Sequence, residues 1–93
     1  MEIVLPDEVG LITRLAQDEE LAADARMLAL NYAKGAPKAM GAAKRLLWTG
    51  LGIGVESCLP EEARTVTELS ATADAREGLA AVLEKRAPVF TGR

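Results

Sequence analysis

Near its end the chain reads VLEKRAPVF, residues 82–90, and three of these side chains could act together. Lys85 and Arg86 are adjacent cations, and Val82 lies one helical turn before Lys85. An ammonium beside an apolar wall suits a phosphate whose organic part packs against that wall. The same residues have a plainer use, because cations closing a helix complement its C-terminal dipole. Both readings stand on the residues alone.

Other chemistry finds little support. The chain has no histidine, which removes Ser-His and Cys-His nucleophile systems and the commonest metal ligand. A single cysteine, Cys58, builds no thiolate zinc site, and it falls on an apolar stripe where buried, inert thiols are common. The acid pairs Glu19/Glu20 and Glu61/Glu62 are adjacent in sequence, so on a helix their side chains diverge. Acids at helix starts also have a structural reason to be there. The run GLGIG, residues 50–54, has a glycine spacing that hints at phosphate, but it follows a helix, whereas a dinucleotide loop follows a strand.

Ninety-three residues make one small domain. Aromatics are only Tyr32, Trp48 and Phe90, so the core must be built from alanine and leucine. Such a core is thin, and partner surface would make up the shortfall. Fourteen acids against 11 bases give a net charge of −3, which offers no footprint for nucleic acid. No apolar run reaches the roughly 20 residues that cross a bilayer. The start MEIVLPDEVG lacks the pattern of a signal peptide, and the unpaired Cys58 fits a reducing cytoplasm.

The elements that must position these residues are mostly helical. Residues 1–17 read as an extended lead-in, with Val9, Leu11 and Ile12 suggesting a short strand over 9–15. Asp18 is placed to cap a helix over 18–34, whose stripe is Leu21, Ala25, Leu28, Ala29, Tyr32 and Ala33. Gly35 stands where a C-terminal glycine would stop it. Pro37 opens a second helix over 37–50. A third is expected over 59–71, with Pro60 in its first turn. Thr72 or Asp74 caps a fourth over 74–87, with Leu79, Val82 and Leu83 on its apolar side, and 88–93 is a tail. The fold class is all-α, with about four helices.

The order of these pieces resembles the C-terminal helical portion of the crotonase superfamily, the enoyl-CoA hydratases and isomerases. GLITRLAQDEEL looks like the family's strand leading into a helix, and APKAMGAAKRLL like the helix that follows. The strongest likeness is TADAREGLAAVLEKRAPVFTGR, with Thr72, Asp74, Glu77, Gly78, Glu84, Lys85, Arg86, Pro88, Phe90 and Gly92 in family order. The resemblance implies helices that pack over a catalytic core and assemble the oligomer. It implies that Lys85 contacts a phosphate of coenzyme A, often in a neighbouring subunit's pocket. Val82 stands where the family has a phenylalanine beside the adenine, so it offers apolar contact without stacking. The family's oxyanion-hole glycines and catalytic glutamates lie upstream of the matched stretch. The implied role is therefore assembly and one pocket wall, with no catalytic residue, no metal and no cofactor beyond the acyl-CoA substrate. The implied partners are further copies of the chain and a catalytic core, with weak acyl-CoA binding by the chain alone. An independent helical interaction module is the competing reading; a complete small enzyme is a third, which lacks a visible catalytic set.

Overall fold

The computed structural model describes residues 4–93. Among them the chain forms four α-helices and no strand: α1 (Leu21–Ala33), α2 (Pro37–Gly50), α3 (Val55–Ser70) and α4 (Ala73–Glu84). The chain divides into two compact units at the end of α1, one ending at Tyr32 and the other comprising Ala33–Arg93.

In the first unit the lead-in differs from the extended segment expected over 1–17. Its first three residues lie outside the described residues; turns and bends cover 6–13, and 14–17 have no regular structure. The Leu11 N–H donates to the Pro6 carbonyl at 3.0 Å, and Gly10 adopts a φ of +77°. The expected strand over 9–15 is absent because a lone strand has no ladder, so its backbone groups bond locally. α1 starts at Leu21, not at 18, because a turn precedes it, with the Glu20 N–H on the Gln17 carbonyl at 3.0 Å. Asp18 lies in that turn. Arg14 and Asp24 form a surface ion pair at 3.7 Å.

In the second unit, Ala36 is extended and Pro37 takes the first helical position of α2, where its missing N–H costs nothing. Gly35 lies between the two helices, two residues beyond the end of α1 at Ala33. α3 begins at Val55, four residues before the expected start. The Gly54 carbonyl accepts from both Ser57 and Cys58 N–H, at 3.0 and 3.1 Å, and this closes the first turn early. Pro60 consequently lies inside the helix, where it has no N–H to offer the Glu56 carbonyl. α2 and α3 are joined by Arg45, whose guanidinium donates to Glu61 Oε1 at 2.8 Å and to Thr65 Oγ1 at 3.0 Å. Near the other end the backbone of Gly50 approaches Cys58, so that an added Cβ would lie 3.5 Å from the thiol sulfur.

Thr72, not Asp74, caps α4, with its Oγ1 accepting the Ala75 N–H at 3.1 Å. α4 turns its small residues inward and its large ones outward. Ala81 is buried and Gly78 faces the Phe90 ring, whereas Leu79, Val82 and Leu83 are exposed. Ala81 is the one buried apolar residue among those described, and it is joined in burial only by Thr65 and Asp74. Leu47, Trp48 and Leu51 on α2 and its exit are 70–80% exposed. Burial therefore contributes little to this fold, and its polar clasps matter in proportion.

Candidate functional site

The end of α4 is built around a reversal of the chain. Lys85 adopts the left-handed conformation, with φ 54° and ψ 44°. Its N–H donates to the Val82 carbonyl at 3.3 Å, and the Arg86 N–H reaches the Ala81 carbonyl at 3.0 Å. This is a Schellman ending, a position usually held by glycine. A lysine there pays for a Cβ clash of roughly 1–2 kcal/mol. The helix stops at Glu84, three residues short of the expected 87, because this turn satisfies its last carbonyls.

Residues 88–93, expected as a simple tail, run back along α4 and are gripped by two of its carboxylates. Asp74 and Glu77 lie one turn apart on the same face. Glu77 Oε1 accepts the Val89 N–H at 2.9 Å. Asp74 Oδ1 and Oδ2 accept the Thr91 and Gly92 N–H groups, each at 2.8 Å, and the Asp74 N–H donates to the Arg93 carbonyl at 2.7 Å. Between the two clasps Phe90 lies against Gly78, where an added Cβ would sit 3.6 Å from the ring. Gly92, at φ +79°, lies close to Pro37.

Arg86 fastens the reversal. Its Nη1 and Nη2 donate to the two Glu77 oxygens at 2.6 and 3.1 Å, and its Nε donates to Glu84 Oε2 at 2.6 Å. Hydrogen bonds from Arg86, and then from the Val89 N–H, hold the Glu77 carboxyl down at about 2. The paired carboxylates push the Arg86 guanidinium further up from its already high range.

The two sequence-derived site residues lie at the edge of this turn. Val82 and Lys85 are one helical turn apart, and Val82 is 74% exposed. The Lys85 ammonium has no carboxylate within 4 Å among the described residues. The adjacent cations thus have opposite situations, Arg86 taken up by two carboxylates and Lys85 free. The arrangement offers a point charge and an apolar flank on an open surface.

The other candidates stay apart from it. Glu61 is held by Arg45 and Arg64, and the Arg45 hydrogen bond first of all lowers its pKa. The GLGIG run forms the turn from α2 to α3. Cys58 is half-buried beside Gly50, and the described residues contain no metal-binding group of acids and thiols. Sequence reasoning missed the clasp roles of Asp74 and Glu77. The available signal was their spacing of three on one helix, followed by Arg86 beyond its end.

No family model matches the chain. It is 40% identical over 85 residues to a probable enoyl-CoA hydratase of Rhodobacter capsulatus, covering 91% of this chain and 33% of that protein. It is 34% identical over 86 residues to 2,3-dehydroadipyl-CoA hydratase of Escherichia coli, covering 92% of this chain and 34% of that protein. Among solved structures, a putative enoyl-CoA hydratase/isomerase from Mycobacterium abscessus matches at a TM-score of 0.83 and 34% identity, over 95% of this chain and 36% of that one. An enoyl-CoA hydratase/isomerase from Mycobacterium paratuberculosis matches at 0.85 and 26% identity, over 95% of this chain and 35% of that one. The chain spans about a third of the length of the curated relatives it matches.

Proposed function

The chain is related in sequence and fold to the C-terminal helical portion of the enoyl-CoA hydratase/isomerase (crotonase) superfamily, and from that premise we propose that it serves as the assembly segment and one pocket wall of an enzyme acting on an enoyl-CoA thioester. In this reading Lys85 pairs with a phosphate of coenzyme A and Val82 flanks the nucleotide. The observation that carries it is the state of Lys85: an ammonium with no carboxylate partner among the described residues, on a strained backbone where glycine would be easier. The catalytic carboxylates and oxyanion-hole amides belong to a core that this segment covers, in the same protein or a partner chain. Water addition to the enoyl group, or its isomerisation, is the work of that whole.

Affinity of these 93 residues for CoA is weak, because one charge on an open surface is not a preorganised pocket. Calorimetry with CoA on the native chain and on Lys85→Ala tests the assignment. Heat that disappears in the variant supports it; equal heats remove Lys85 from the site.

A second reading, a non-catalytic helical interaction module, is favoured by one observation. Leu47, Trp48, Leu51, Leu79, Val82 and Leu83 are all exposed, as expected of faces made to be covered. Both readings imply self-association. Light scattering at micromolar concentration that finds a stable, well-folded monomer would count against both.

A further inference from the structure

We propose that Glu77 and Arg86 are positioning residues for Lys85, a role that rests on the phosphate-contact reading above. The turn that places Lys85 is left-handed, and a lysine left to itself prefers the right-handed region. Something must hold it there. A Schellman ending is often secured by an apolar contact between the residue after the turn and the last helical turn. Here the residue after the turn is Arg86, and its contact is the two-pronged ion pair to Glu77, two turns back along α4. The same carboxylate also takes the Val89 N–H, so one side chain fixes the chain on the far side of Lys85 as well as at Arg86. Glu84, on the near side, binds Arg86 Nε. Lys85, unpaired among the described residues, thus stands at the apex of a loop tied on both sides.

The tie divides the work of the basic pair. Arg86 holds the backbone, and Lys85 meets the ligand. With the tie cut, Lys85 returns to its preferred conformation and the competent geometry becomes a minor state. Apparent affinity then falls by the fraction still competent, about five- to thirtyfold for the usual left-handed penalty.

The test uses the full chain with Glu77→Gln, which keeps the shape of the side chain and removes its charge. Arg86→Lys serves as a second variant, since a lysine keeps the charge but has no fork. The Lys85 HN–Hα coupling and Cα chemical shift report its backbone directly, and calorimetry with CoA reports binding. The expected result is a loss of the left-handed signature at Lys85 together with the fall in CoA affinity, while amides of α2 and α3 keep their native shifts. Should Lys85 stay left-handed in both variants, the tie does not hold it and the proposal is overturned. A flipped backbone with unchanged CoA affinity overturns the positioning role as well. The phosphate reading fails separately, through unaltered CoA binding by Lys85→Ala, because the backbone signature needs no ligand.

Discussion

Arg86 and Glu77 face each other through two parallel N–H···O bonds of 2.6 and 3.1 Å, across nine residues and the reversal that ends α4. Few apolar side chains are buried among the described residues, so a fork of this geometry weighs more than a surface ion pair does elsewhere. Its pH dependence follows from Glu77. The folded carboxyl titrates at about 2, below the ordinary 4.5. A depressed acid stabilises the folded state fully above its unfolded pKa, and that contribution disappears as the pH falls through the folded value. The window is therefore pH 4.5 down to about 2. Melting temperatures of the native chain and Glu77→Gln should differ at pH 7 and converge as the pH approaches 2. A constant difference across that range would mean that the carboxylate charge is not what holds the turn.

Lys85→Gly separates fold from function. Glycine relieves the left-handed penalty, so the backbone gains up to roughly 1 kcal/mol, and part of that is returned as extra freedom in the unfolded chain. The melting temperature should rise by a few degrees. Binding of CoA, which depends on the ammonium in our proposal, should be lost. Thermal melts and calorimetry on one variant check both halves. A falling melting temperature would mean that the lysine side chain itself supports the turn.

Gly78 and Gly92 should respond to alanine in opposite ways. At Gly78 a new methyl would meet Phe90 at 3.6 Å, an ordinary contact, within a helix where alanine is favoured by roughly 1 kcal/mol. Gly78→Ala should stabilise. At Gly92 the backbone sits at φ +79°, which disfavours any side chain, so Gly92→Ala should loosen the tail from Asp74. Urea titrations on the two variants give the signs.

How much of this was readable in the sequence varies with the distance over which the cause acts. α2 begins where Pro37 says it should, because proline at the first helical position is a local signal. Thr72 and Asp74 were equal candidates for the α4 cap, and only the tail decides between them. Asp74 is engaged by Thr91 and Gly92, which leaves Thr72 to bond Ala75. The strand suggested by Val9, Leu11 and Ile12 failed for want of a partner, a non-local fact. The left-handed Lys85 was invisible for a similar reason. Nothing in EKRAP marks a glycine-like position until Arg86 is seen to reach Glu77. The cation Lys85 and the apolar Val82 one turn before it are legible in the residues, and the resemblance adds only the coenzyme A assignment; the tie behind them is not legible.

Thr65 supplies a test of the α2–α3 joint. It is one of the few buried side chains, accepting from Arg45 at 3.0 Å and donating to the Glu61 carbonyl at 2.8 Å. Thr65→Val keeps the shape and removes both bonds. The expected cost is about 1–2 kcal/mol, the usual loss for hydrogen bonds at a buried hydroxyl. Chemical denaturation measures it. An unchanged midpoint would show that the Arg45–Glu61 pair holds the helices without Thr65.

Trp48 reports directly on whether the exposed faces are covered by further copies of the chain. It is the chain's one tryptophan, it is 70% exposed, and Leu47 and Leu51 beside it are exposed as well. Free in water it should fluoresce at a long wavelength; packed against another subunit it should shift to the blue. Diluting the native chain from high to submicromolar concentration should therefore move its emission to the red as assemblies dissociate. Leu47→Glu places a charge in the middle of that face and should give the long-wavelength spectrum even at high concentration, because burying an unpaired carboxylate is unfavourable. An emission maximum independent of concentration, with native chain and variant alike, would exclude the α2 face from self-association and leave the exposed side of α4 as the surface to test.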